Sequence, residues 1–264
     1  MKRTFIDQIV YYFSRRMALL FFYIFLRGKF YNWRKVPAEG RLIIVSNHQS
    51  YLDPPLVGGG PRRQVGFMAK ESLFRGFIGW FFRALNAFPV DREKPVGGIK
   101  EALRRLKNDE CVALFPEGSR SPDGELHDFM PGLILLAQKT KSPIVPAAIE
   151  GAFDAMPRHE HGKIHLFQKV AVLYSDPIPV ETVVSLSPDE LLKLVRQRIT
   201  ENLNELRKLP AFRNIKKQIE ITEKSETSQG SDEPAQQDPQ QTIENNNEVQ
   251  KEPECSNTEN LDKE

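Results

Sequence analysis

The 264-residue sequence predicts an α/β layered domain in which a largely parallel sheet is flanked by helices. Three observations lead there. Short apolar runs at 42–45, 64–69, 87–90, 112–115 and 144–149 are bounded by glycine, proline or charge, as strands are. Between them stand segments of helical period: 72–85, with apolar residues at 74, 77, 78, 81, 82 and 85, then 96–107 and 132–140. Residue types suited to proton transfer or anion binding sit where the runs end, and in such sheets functional groups gather at the strand exits.

Taken in order, residues 1–35 read as an N-terminal membrane-associating helical segment. Ten consecutive apolar residues, from Met17 to Leu26, lie between Arg15-Arg16 and the pair Arg27 and Lys29. As a helix that run is about 15 Å long, half of a hydrocarbon core of roughly 30 Å, so it cannot span alone. Asp7, Gln8 and the two arginines interrupt its extension toward Phe5. A helix lying in or dipping into one leaflet fits this aromatic-rich, cation-flanked stretch; an ordinary buried helix is the other reading. No small-residue cleavage site follows, which speaks against a signal peptide.

Residues 36–212 make up the α/β domain. Its helix at 72–85 carries Phe74, Phe77, Trp80, Phe81 and Phe82, an apolar stripe that suits a core, a lipid surface or the wall of an acyl groove equally well. Residues 163–174 alternate well enough for a more exposed strand. Ser187-Pro188-Asp189-Glu190 forms a capping box with proline at the first helical position, and apolar residues at 191, 194, 195, 199, 203 and 206 keep one face until Pro210. Residues 221–264 are expected to be a disordered acidic tail, since their Ser, Glu, Gln, Asn and Pro content cannot form a core.

The net charge of +2 conceals an asymmetry. The tail holds 12 acidic and 3 basic residues, which leaves 34 basic and 23 acidic residues in 1–220. A basic folded part suits an anionic partner such as a phospholipid surface or a phosphorylated metabolite. Nucleic acid fits poorly, because the charges fall at strand exits rather than along one basic stripe. Cys111 lies in an apolar run and Cys255 in the tail, so a disulfide framework is not expected and a reducing compartment fits.

The first strand exit is Ser46-Asn47-His48-Gln49-Ser50-Tyr51-Leu52-Asp53, followed by Pro54-Pro55. Imidazole both accepts and returns a proton near neutral pH, and a carboxylate on its far nitrogen would fix the tautomer and stabilise the imidazolium. The other reading is a polar turn in which Asp53 caps a helix beginning at Pro54. Later exits add Lys70, then Asp91-Arg92, then Pro116-Glu117-Gly118-Ser119-Arg120. Arginine suits phosphate through its planar fork, and Gly118 frees the backbone to turn Glu117 and Arg120 toward one site. Taken singly, Lys70, Arg92 and Arg120 also read as solvated surface charge. His159-Glu160-His161-Gly162 has no further ligand at a known spacing, and no metal site is expected.

Four ordered blocks resemble the glycerolipid acyltransferases: Asn47-His48-(four residues)-Asp53, Phe88-Pro89-Val90-Asp91-Arg92, Phe115-Pro116-Glu117-Gly118-Ser119-Arg120-Ser121 and Ile144-Val145-Pro146-Ala147. The resemblance runs over roughly residues 15–210 and is nearest the bacterial 1-acylglycerol-3-phosphate acyltransferases. It implies that His48 is the general base, with Asp53 orienting it. It implies that Lys70, Arg92 and the turn of Glu117, Gly118, Ser119 and Arg120 hold a phosphorylated acceptor. Pro146 would mark the acyl-donor side. Ser119 stands where threonine is common, and Met130 where a lysine often does.

The activity so implied is acyl transfer from acyl-CoA or acyl-carrier protein to the sn-2 hydroxyl of 1-acylglycerol 3-phosphate, forming phosphatidic acid at the cytoplasmic face of the cell membrane. No cofactor is implied, the thioester being a substrate. The alternatives are another acceptor, glycerol 3-phosphate or a different lysolipid, and a non-catalytic membrane-binding interaction module.

Overall fold

A computed structural model gives the architecture and describes residues 4–91, 96–160 and 162–212. Arg92, His161 and the acidic segment 221–264 lie outside the described residues. Seven strands form one sheet: β1 (Lys29–Tyr31), β2 (Leu42–Ser46), β3 (Val65–Lys70), β4 (Ala87–Val90), β5 (Cys111–Leu114), β6 (Ile144–Glu150) and β7 (Ala171–Tyr174). Their order is β1-β7-β6-β2-β5-β3-β4, and every neighbouring pair is parallel except β6 with β7. The carboxyl ends of β2 to β6 therefore share one edge of the sheet.

All five residues of β2 are buried, and its neighbours β5 and β6 are buried throughout, so these strands need apolar side chains on both faces. Ile43 and Val45 point into a core shared with α4 (Val96–Lys107), α5 (Gly132–Thr140), α7 (Val180–Ser185) and α8 (Pro188–Lys208). Leu42 and Ile44 point into a second core, against α1 (Phe5–Phe25), α2 (Asp53–Gly59) and α6 (Ala152–Ala155). The period-2 alternation of a strand thus distributes one sequence run between two helical layers. Helix α8 begins at the expected capping box, with Ser187 accepting from the Glu190 amide and the Glu190 carboxylate accepting from the Ser187 amide.

Helix α1 opens with a capping box of its own, Thr4 with Asp7, and buries Tyr11 and Phe22. Arg15 donates to the carbonyls of Gly59 and Pro61, tying α1 to the end of α2. The opposite face of α1 exposes Ile6, Ile9, Phe13, Met17, Leu20 and Ile24. At spacings of three and four residues these make one apolar stripe along the helix. No helix of the described residues is long and apolar enough to cross a membrane.

The structure departs from the sequence reading in three places. The helix expected over 72–85 is a short 3₁₀ turn, Glu71–Leu73, followed by α3 (Gly76–Ala84). Gly76 at φ +54° redirects the chain between the two, a conformation that favours glycine. The strand expected over 163–174 shrinks to Ala171–Tyr174, and it is fully buried rather than more exposed. Its pairing with β6 ends at Glu150 opposite Ala171, so residues 163–170 have no ladder to join and form a loop. Finally, Lys29–Tyr31 adds a strand against β7, which the charged, aromatic sequence around it did not signal.

Candidate active site

Strand β2 ends at Ser46, and the chain leaves the sheet through residues 47–52 into α2. That loop closes around a single atom. Asp53 Oδ2 accepts from His48 Nδ1 at 2.7 Å, from the Gln49 amide at 2.6 Å and from the Ser50 amide at 2.7 Å. The Asp53 side chain is fully buried, while 17% of the His48 side chain reaches solvent. Asp53 is the first residue of α2, yet its carboxylate points back into the loop rather than capping the helix ahead. With Oδ2 accepting, Nδ1 carries the hydrogen, and the tautomer of the neutral ring so selected has its lone pair on Nε2. Phe115 stacks on the imidazole with ring centroids 4.4 Å apart, fixing the ring plane from the other side. An oriented imidazole with one free basic nitrogen is equipped to take a proton from a hydroxyl.

The turn after β5 closes over this loop. Glu117 is buried, with Oε1 accepting from the His48 amide at 2.8 Å and Oε2 from the His127 amide at 3.3 Å. Burial pushes its carboxyl above the usual range, and the two amides only partly offset that. Gly118 sits at φ +71°, a backbone conformation that calls for glycine, while the Met130 side-chain end that a Cβ would meet is exposed and free to shift. The Ser121 amide donates to the His48 carbonyl at 2.7 Å, and the Gln49 side chain donates to the Gly124 carbonyl at 2.7 Å. The Arg120 guanidinium lies 3.6 Å from the centroid of the Tyr51 ring, over its face. Its Nη1 is shielded from solvent and finds no hydrogen-bond partner among the described residues.

The sequence-predicted residues thus separate into groups. His48, Asp53, Glu117 and Arg120 come together, with Gly118 making the turn. Ser119 is exposed on that turn. Lys70 is exposed at the carboxyl end of β3, paired in register with Val90 of β4 and two strand positions from β2, at the same edge of the sheet as His48. Arg92, expected beside it, lies outside the described residues. Pro146 is buried within β6, in register with Val45. Phe115, Tyr51 and Gln49 were not singled out for a role from the sequence. Their position inside the two motif blocks was the available signal, but stacking and main-chain contacts leave no spacing rule to read. Among the described residues no group of three or more His, Cys, Asp or Glu side chains is disposed to hold a metal ion.

Residues 27–150, which include this whole loop-and-turn cluster, match the acyltransferase family. The 1-acyl-sn-glycerol-3-phosphate acyltransferase of Bacillus subtilis is 32% identical over 186 residues, covering 69% of this chain and 89% of that protein. The enzyme of the same name from Streptococcus pneumoniae is 30% identical over 206 residues, covering 76% and 74% respectively. The fold resembles the crystal structure of the 1-acyl-sn-glycerophosphate acyltransferase PlsC from Thermotoga maritima, with a TM-score of 0.64 and 28% identity over 77% of this chain and 80% of that one. Since the family match spans this cluster, and the Bacillus relative is matched over most of its length, this chain is an enzyme that belongs to the acyltransferase family.

Proposed function

We propose that this enzyme acylates the sn-2 hydroxyl of 1-acyl-sn-glycerol 3-phosphate, taking the acyl group from acyl-CoA or acyl-carrier protein and releasing phosphatidate. The observation that carries the reading is the His48–Asp53 pair, with the Arg120 guanidinium lying over Tyr51 of the same loop and its Nη1 without a partner among the described residues. His48 Nε2 takes the hydroxyl proton as the oxygen attacks the thioester carbonyl, help worth typically about 10²- to 10⁴-fold. Asp53 holds the ring and stabilises the imidazolium. The C–O bond forms, the C–S bond breaks, and His48 returns the proton to the departing thiolate. Arg120, with Lys70 and Arg92, supplies charge for the acceptor's phosphate, and the turn built by Gly118 and Ser119 presents Arg120 to it.

The acceptor is a lipid, and the surface fits a lipid interface. The α1 stripe continues onto α3, where Phe77, Ile78, Trp80 and Phe81 are exposed, and Ile9, Phe13 and Met17 line a shallow apolar cleft together with Phe77, Trp80 and Phe81. We read residues 1–35, which carry α1 and add β1 to the sheet, as the segment that seats the α/β domain on the cytoplasmic face of the membrane, with the exposed Arg16, Arg27 and Lys29 near anionic headgroups.

The test is transfer of a mass-labelled acyl group from acyl-CoA, and separately from acyl-carrier protein, to 1-acylglycerol 3-phosphate in vesicles, with glycerol 3-phosphate and other lysolipids in parallel. Label should enter phosphatidate with wild type and fall by about two orders of magnitude or more with His48→Ala. Label entering another acceptor preferentially, or full activity in His48→Ala, overturns the reading.

A further inference from the structure

Two side chains continue the sheet beyond the point where the catalytic strand leaves it. Strand β2 is central, with β6 on one side and β5 on the other, and its main-chain ladder ends at Ser46 paired with Ala147. At the next residue the main chain turns away, but the Asn47 side chain takes over. Its Nδ2 donates to the Ile149 carbonyl at 2.9 Å and its Oδ1 accepts from the Ile149 amide at 2.8 Å. A carboxamide presents one donor and one acceptor side by side, as a strand residue does, so Asn47 pairs with β6 as a surrogate for backbone. It is buried, as is Ile149.

On the other flank the surrogate comes from the turn after β5. Glu117 Oε1 accepts from the His48 amide, the donor left without a ladder partner when β2 ended. Its second oxygen accepts from the His127 amide, tying down the far end of the same loop. Both oxygens are thereby occupied by main-chain donors, and a carboxylate turned inward offers a phosphate only repulsion.

We infer that Asn47 and Glu117 are positioning residues for the general base, acting through the His48 main chain rather than on substrate. Asn47 holds the peptide before His48 against β6, and Glu117 holds the His48 amide from the β5 side. Between them the imidazole is carried by a backbone as fixed as a strand, at a point where the chain is already a loop. The inference rests on the proposed base role of His48, and it makes a claim about Glu117 different from the acceptor-binding role implied by family resemblance.

The test combines kinetics with hydrogen exchange. In Asn47→Ala and Glu117→Gln, kcat should fall by about tenfold or more while KM for acceptor and for thioester stays within about twofold, because orientation is lost and binding is not. Glu117→Gln presents an N–H₂ to an amide donor, so it keeps shape and size but only one acceptor. Asn47→Asp keeps the acceptor for the Ile149 amide but sets a carboxylate against the Ile149 carbonyl. Its rate relative to wild type should therefore recover as the pH is lowered and the carboxyl gains a proton to donate. Ile199→Ala, in the core of α8, is the stability control and should lower the melting temperature without this kcat loss. A tenfold rise in acceptor KM at unchanged kcat in Glu117→Gln overturns the inference for Glu117, and a flat pH ratio in Asn47→Asp overturns it for Asn47. Hydrogen exchange over residues 46–53 needs no turnover: protection in wild type that is lost in both variants supports the anchoring even should acyl transfer fail, and unchanged exchange refutes it. Wild type active with both variants normal sinks this inference alone; wild type inactive toward every acceptor sinks the proposed function.

Discussion

Replacing Asp53 with asparagine isolates the charge at the centre of the site. Asparagine keeps the shape, and its oxygen in the Oδ2 position still accepts from His48 Nδ1 and from the Gln49 and Ser50 amides. Its amide nitrogen then occupies the place of Oδ1, which has no partner among the described residues. The buried N–H₂ finds no acceptor among them and costs about 1–3 kcal/mol, which leaves a domain of this size folded while the charge is gone. A hydrogen bond to a charged group contributes about 1.5–3 kcal/mol, and the Asp53–imidazolium bond reaches full strength only when His48 has taken the proton. Lost from the transition state, that range lowers kcat by about 10- to 150-fold. Steady-state acylation in vesicles reads it, with KM for both substrates changing little. Asp53→Ala adds a structural effect, since two buried main-chain amides lose their acceptor at about 1–3 kcal/mol each. For a domain of this size that corresponds to a fall of at least about 4 °C in melting temperature. Asp53→Asn with kcat within about threefold of wild type, in a protein that remains folded at the assay temperature, would show that the carboxylate orients nothing that matters to the chemistry.

Three further outcomes are expected. Arg120→Ala removes the guanidinium whose Nη1 lacks a partner among the described residues, and should raise acceptor KM by about tenfold or more, with Arg120→Lys intermediate because the planar fork is lost but the charge kept; equal KM in all three proteins rules out the phosphate role. Glu150, whose carboxyl burial holds at about 6 despite its bond to Arg207, binds a proton in the folded chain that the unfolded chain has already released, so stability should fall as pH rises from about 4.5 to 6, by up to about 2 kcal/mol. Urea unfolding at pH 4.5 and 7 should show that loss in wild type and much less of it in Glu150→Gln. Ile9→Glu combined with Phe77→Glu places charge on the exposed α1–α3 face and should weaken sedimentation with anionic vesicles by at least about tenfold, since each apolar side chain buried contributes about 1.5–3 kcal/mol; unchanged sedimentation would refute that face as the lipid contact.

Much of the architecture was legible without coordinates because it follows from local chemistry. The helices Val96–Lys107 and Gly132–Thr140 occur where their periodicity placed them, and α8 starts at the Ser187 capping box, since a helix end is specified by the few residues that satisfy its own amides. For His48 and Asp53 the sequence placed both on one strand-to-helix turn and left open whether the carboxylate meets the imidazole or caps the helix; the fold turns it onto His48. Elements that depend on a distant partner were hidden. Residues 29–31 form a strand only because β7 offers them an edge, and 163–170 form none because β6 ends at Glu150.

The same division runs through the site. The sequence by itself determined the alternation of strands and helices, the imidazole and carboxylate at one strand exit, and the cations at its neighbours. Tertiary structure alone decided that Glu117 turns inward onto the His48 amide, that Asn47 stands in for a strand residue against Ile149, and that Phe115 stacks on the imidazole. The spacing of residues along a chain constrains what each can reach within its own turn. Which main-chain donors are left unpaired when a central strand ends is settled only when its neighbours are in place, and those donors determine where the buried carboxylate and carboxamide must go.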